Sequence, residues 1–263
     1  MEILNNKTTK TPVKAILFDF DGTISTLRCG WEEVMLPVFC EVLDDGKTPY
    51  EEIKAKAEKY IDESTGIQTI LQMKWLAQQV EESGRTPLDI WDYKKIYNDR
   101  LMESIVKKLA DLKSGKVSAE NYLMAGSVEF LKALKEKGVK IYVASGTDHP
   151  DVVNEATALG VIEYFDEIKG APLHEENCSK EAVIKRLLTE SGLGGDDLCV
   201  CGDGKVEIML GKENGARAFG LASDEKERCG VNDVKRTRLV KAGADIICGD
   251  FLEKDKIFEF LGL

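Results

Sequence analysis

The sequence predicts an α/β protein, a parallel sheet with helices on both faces, interrupted after its first strand by a helical insertion. Short apolar runs without polar alternation recur along the chain, as in strands buried on both faces. Amphipathic helical stretches separate them, and that strand–helix–strand rhythm implies parallel pairing. Residues 28–124 break the rhythm with long helical patterns and no clear strand.

The elements follow in order. Residues 14–19 form the first strand, where Ala15-Ile16-Leu17-Phe18 runs unbroken into Asp19. Helical spacing is clearest in the insertion over residues 51–60, 68–82 and 93–112. A start near Ser64 or Thr65 for the second of these helices would put Gln68 and Gln72, four apart, on one face. An insertion of this kind has its ends close together in space. The expected division is a core of residues 1–27 and 125–263 and a helical domain of residues 28–124. A helix from Ser127 stops at Gly138, a suitable C-terminal glycine. Strands are expected at 139–144, 197–201, 216–221 and 245–248. Another helix opens at Ser179 as its cap, with apolar positions 183, 184, 187 and 188 at helical spacing.

Composition narrows the function classes. The net charge of −11 argues against a general nucleic-acid binder, which needs a basic face to displace counterions. An anionic small substrate stays open, because a few local cations or a metal can reverse the field in a cleft. The start, MEILNNKTTKTP, has no apolar signal-peptide core, and no run of about 18 apolar residues suggests a membrane span. Seven cysteines, Cys29, Cys40, Cys178, Cys199, Cys201, Cys229 and Cys248, show no zinc-type spacing. A reducing cytoplasm and a monomer are the default expectations.

The chemistry concentrates at strand ends and helix starts. Asp21-Gly22 alone would suit a turn, but a turn does not account for Asp19. Two acids at the end of a buried strand point into the crevice where α/β sheets bind ligands. They can hold a metal, or serve as nucleophile and proton donor. Ser145-Gly146-Thr147 ends the second strand, where a hydroxyl and free amides at a helix start hold an anion or simply cap. Lys180 stands in the first turn of its helix, against the dipole; an anionic partner would explain it, and so would a solvated surface. Cys201-Gly202-Asp203-Gly204-Lys205-Val206-Glu207 again delivers an acid from an apolar strand into a turn.

In this order the motifs resemble the haloacid dehalogenase-like hydrolase superfamily, over the whole chain. Asp19-Phe20-Asp21-Gly22-Thr23 is similar to its first motif, Ser145 to its second, Lys180 to its third, and Gly202-Asp203 with Glu207 to its fourth. The resemblance implies a Rossmann-like core with the insertion as a small helical cap, of the phosphatase and β-phosphoglucomutase-like branch. It implies Asp19 as nucleophile and Asp21 as acid and base. Ser145, Gly146 and Lys180 would hold phosphate. Mg²⁺ would be held by the Asp19 and Asp203 side chains and the Asp21 carbonyl. Two departures stand out: Ile24 replaces the usual Leu or Val, and Glu207 stands where the family often has Asp, which suggests a water-mediated or supporting contact. Asp21 itself points to phosphate-ester chemistry rather than dehalogenation.

The expected activity is hydrolysis of a small phosphorylated metabolite, such as a sugar phosphate or a phosphoglycolate-like ester. A phosphomutase would share every residue named, and a catalytically silent binding module is the third reading. Arg28, Trp31, Gln68, Thr69 and Gln72 are candidates to contact substrate beyond its phosphate, with a surface or cap-core place as the alternative. His149 and His174 are expected to serve locally.

Overall fold

The structure is a computed structural model that describes residues 1–5, 11–175, 179–190 and 192–263. Among the described residues, seven strands form one sheet in the order β1-β7-β6-β5-β2-β3-β4. They are β1 (Glu2–Ile3), β2 (Ala15–Phe18), β3 (Lys140–Asp148), β4 (Glu167–Ala171), β5 (Leu198–Gly202), β6 (Arg217–Leu221) and β7 (Ile246–Cys248). Only β1 pairs antiparallel, against β7; the other pairings are parallel. β2 therefore lies inside the sheet, flanked by β3 and β5.

Alternation along β2 builds two layers. Ile16 and Phe18 enter a core with Phe130, Val152 and Ile257, which belong to α5 (Ser127–Glu136), α6 (His149–Ala158) and α10 (Lys254–Leu261). Ala15 and Leu17 face Val183, Ile184 and Leu187 of α7 (Ser179–Glu190). Further along that face, Ile208 of α8 (Lys205–Glu213) and Leu239 of α9 (Asp233–Lys241) pack on Ala218 and Ile247. A strand buried on both faces must be apolar throughout, which is why Ala15–Phe18 shows no period of two.

The insertion consists of four helices, α1 (Trp31–Leu43), α2 (Tyr50–Glu63), α3 (Thr69–Glu82) and α4 (Ile90–Lys113). Its core includes a stack of Phe39, Tyr60 and Trp75, the last two with ring centroids 3.8 Å apart. Each such aromatic pair contributes about 0.5–1.5 kcal/mol beyond its burial. Lys108 of α4 donates to the carbonyl of Leu27 at 2.6 Å, tying the insertion to the chain leaving β2. No helix among the described residues is long and apolar enough to cross a membrane.

Three expectations need correction. α3 begins at Thr69, not near Ser64: Gly66 takes φ 93° and Gln68 is extended, so residues 64–68 form a turn. Gln68 and Gln72 therefore do not share a helix face. Ser145-Gly146-Thr147 lies inside β3, and α6 starts only at His149. The β3–β4 register slips between Ala144 and Asp148, so this segment bulges out of the ladder at the sheet's carboxyl end. Strands β1 and β4 were also not expected. Cys178 lies outside the described residues, as does the side chain of Ser179, so the expected cap there does too.

Candidate active site

The carboxyl ends of β2, β3 and β5 converge beneath the α2–α3 turn. Asp19 directly follows β2, and its amide donates to the carbonyl of Cys201 at 2.9 Å. Its Oδ1 accepts from the Phe20 amide at 2.8 Å, and its Oδ2 accepts from Lys180 Nζ at 2.9 Å. Lys180 is thus no surface lysine; it is 3% exposed and donates also to Glu207 Oε2 at 3.0 Å. Burial opposes its charge, but Asp19 and Glu207 more than offset this and raise its pKa. Burial, with Glu207 and Asp203 close by, pushes the Asp19 carboxyl up while Lys180 pulls it down.

Glu207 has a defined place. Its Oε1 accepts from the Gly204 amide at 2.7 Å, capping α8, while Oε2 holds Lys180. The longer side chain fits because glycines surround it: a Cβ at Gly202 or Gly204 would meet its carboxylate within 3.0 Å. Gly66, from the turn above, also packs against it.

Asp21 is held from β3. Its Oδ2 accepts from Thr147 Oγ1 at 2.8 Å and from Ser145 Oγ at 3.3 Å. Its Oδ1 makes no hydrogen bond and lies 3.9 Å from Arg28 Nε. The β3 bulge thus aims both hydroxyls at one carboxylate. Gly146, between them, sits beneath the turn, where a Cβ would stand 2.9 Å from the Ile67 carbonyl oxygen.

Asp203 follows β5. Its Oδ2 accepts from Lys235 Nζ at 2.6 Å and packs on Gly22, where φ is 72° and a Cβ would stand 2.3 Å away. One carboxylate oxygen each from Asp19, Asp203 and Glu207 lies within 4.8 Å of the others, a cluster that could hold a metal ion. Three hard oxygen donors in a buried setting fit Mg²⁺ or Ca²⁺ rather than a soft metal.

Asp19, Asp21, Ser145, Gly146, Lys180 and Asp203 line a cavity of about 90 Å³, closed above by Thr65, Gly66 and Ile67. That is small against the roughly 300–1,000 Å³ of many ligand pockets. Arg28, Trp31, Thr69 and Gln72 also line it, with Tyr97, while Gln68 is buried outside the lining. Arg28 forms a forked pair with Glu155 of α6, Nη2 to Oε1 at 2.6 Å and Nε to Oε1 at 3.1 Å. Burial raises Glu155 to about 7, with Asp21 and Asp151 nearby adding to it and Arg28 opposing. Gln72 Nε2 donates to Ser64 Oγ at 3.0 Å, so it braces the turn from below.

The histidines act locally: His149 Nδ1 accepts from the Gly170 amide at 3.3 Å, and His174 lies against the Trp91 ring. Thr147, Glu155, Lys235, Ser223 and Glu225 were not singled out in the sequence. Only Thr147 carried a signal, as part of the quoted Ser145-Gly146-Thr147.

Acids after β2 and β5, with a buried lysine bridging Asp19 and Glu207 beside them, make an arrangement suited to a hydrolase. The family profile of the haloacid dehalogenase-like hydrolases matches residues 13–215, and the chain belongs to that family. A curated relative from Clostridium perfringens, provisionally named pyrophosphatase PpaX, is 24% identical over 209 residues, 80% of this chain and 84% of its own. A structure described as a predicted phosphoglycolate phosphatase from Haemophilus somnus aligns with TM-score 0.62 at 18% identity, covering 95% of this chain and 99% of that one. A β-phosphoglucomutase from Clostridium difficile aligns equally well, TM-score 0.62 at 15% identity, over 95% and 97%. These structures share the fold: a Rossmann-like sheet with an inserted helical cap.

Proposed function

We propose that the chain is a Mg²⁺-dependent phosphatase acting on a small phosphorylated metabolite through an aspartyl phosphate. The observation that carries this reading is the buried contact of Lys180 with both Asp19 and Glu207, beside Asp203 and beneath Asp21.

Asp19 Oδ attacks phosphorus, and the ester oxygen leaves with a proton from Asp21. Asp21 then takes a proton from water, whose oxygen attacks phosphorus and releases Asp19 and inorganic phosphate. The Ser145 hydroxyl, the Gly146 amide and Lys180 hold the phosphoryl oxygens, so positioning and charge neutralisation supply most of the catalysis. Mg²⁺, held by Asp19, Asp203 and the Asp21 carbonyl, would neutralise charge on the phosphoryl group. Glu207 orients Lys180. Thr147 keeps the Asp21 carboxyl aimed into the cavity when Ser145 turns to the phosphoryl group.

Residues 28–124 act as a cap over the core of residues 1–27 and 125–263, with the Ser64–Gln68 turn as the contact that shuts out water. Arg28, Trp31, Thr69 and Gln72 form the wall available to the rest of the substrate. A reducing cytoplasmic setting is supported by the cysteines, which are unbridged among the described residues. A monomer is the simplest assembly. No nucleic acid or membrane is proposed as partner.

The test is a panel of metabolite phosphates with purified protein, with and without Mg²⁺. Net phosphate release that stops in EDTA and returns with Mg²⁺ supports the reading. Isomerisation of a sugar 1-phosphate with little net release would make it a phosphomutase instead, and no turnover of any ester would make it a binding module.

A further inference from the structure

Four carboxylates gather around two lysines beside the cavity: Asp19, Asp203 and Glu207, all buried, and Glu225, whose side chain is 12% exposed; Asp21 lines the same cavity on the Arg28 side. Two buried ammonium groups face them. Lys180 serves Asp19 and Glu207, as described. Lys235 serves the other pair, donating to Asp203 Oδ2 at 2.6 Å and Glu225 Oε1 at 2.6 Å. Its third proton goes to Ser223 Oγ at 3.1 Å, and that hydroxyl donates to the Gly22 carbonyl at 2.5 Å. Every proton of the Lys235 ammonium is used. Asn232 caps α9 by accepting from the amides of Val234 and Lys235, which fixes the lysine's point of departure. Burying an ammonium is costly unless it is paired and bonded in this way.

These four carboxylates outnumber the two ammonium groups by two, and without Lys235 the excess would be three. We propose that Lys235 is a resident counter-ion of the metal site, holding the acidic cluster together in the free protein and moderating its affinity for a divalent cation. The role rests on the reading of Asp203 as a metal-facing group. Asp203 also packs against the Gly22 backbone, a contact that remains when the lysine charge is removed. A nearby like charge weakens cation binding even at an effective dielectric of about 20.

Lys235→Met keeps most of the volume and removes the charge. Lys235→Arg keeps the charge, and Lys235→Gln gives a second neutral variant should the methionine variant not fold. Mg²⁺ alone is titrated into each protein by calorimetry, and melting temperature is followed with and without it. The neutral variants should melt lower than wild type without metal, bind Mg²⁺ about tenfold more tightly and show a larger Mg²⁺-induced rise in melting temperature. The arginine variant should stay near wild type. Weaker or unchanged Mg²⁺ binding in a folded neutral variant, with Mg²⁺ still binding wild type, overturns the role of Lys235 alone. A wild-type protein that binds no Mg²⁺ overturns the metal reading, and this proposal with it.

Discussion

Gly66 of the α2–α3 turn packs against Glu207 at the start of α8: a Cβ on Gly66 would stand 2.8 Å from Glu207 Oε2. The turn that closes the cavity thus rests on the acid that orients Lys180. Gly66 also has φ 93°, a backbone L side chains rarely adopt. Gly66→Ala should therefore hold the turn off the core. Steady-state kinetics should show kcat/KM reduced about tenfold or more, with the melting temperature lowered by only a few degrees. Unchanged kinetics would mean that the turn need not seat on Glu207 during turnover.

Gln72 braces the same turn through Ser64. Gln72→Ala should remove one of the bonds to the Ser64 hydroxyl, which keeps its bond to the Ile61 carbonyl, and cost about 0.5–1.5 kcal/mol of stability. Because both substitutions act on one turn, their effects on kcat/KM should be less than additive in the double variant. Full additivity would separate Gln72 from closure and leave it a cavity-wall contact only.

Asp21 accepts from Thr147 and Ser145, so its carboxyl is aimed at the same space as Asp19. Asp21→Asn should slow the phosphorylation step most for sugar phosphates, whose leaving oxygen needs a proton. p-Nitrophenyl phosphate should lose less, by about tenfold or more in the ratio of the two. Equal losses in pre-steady-state measurements would remove Asp21 from the role of acid.

Glu155, buried against Arg28, is raised to about 7 from 4.5. Its folded form holds a proton that the unfolded chain has released, so its contribution is full below about 4.5 and is lost as pH rises through about 7. Glu155→Gln should flatten the fall in stability across that window, read from denaturant unfolding at several pH values. An identical pH dependence in the variant would place the cost elsewhere.

How much of this was legible in the chain depended on distance in sequence. Asp19 and Asp21 could be read because a four-residue apolar strand delivers them directly. Asp203 could be read for the same reason, and Lys180 because a cation in a first helical turn is out of place. β4 could not, since Glu167-Ile168-Lys169 is half-exposed edge sequence without an apolar run. The β3 bulge is a register property that only its partner strand defines. Lys235 reads as one more charge on a polar helix, DVKRTRLVK, and its partners come from two other elements. Glu155 pairs with an arginine 127 residues away, which no local pattern announces. Gly66 was visible, but in place of a helix start it makes the turn that ends one helix before the next.

The aspartyl-phosphate reading turns most directly on Asp19→Asn, measured as turnover of p-nitrophenyl phosphate with saturating Mg²⁺ in a protein whose melting temperature matches wild type. The amide is nearly isosteric but a far poorer nucleophile, so kcat should fall by about 10³-fold or more. Turnover within about tenfold of wild type would contradict it.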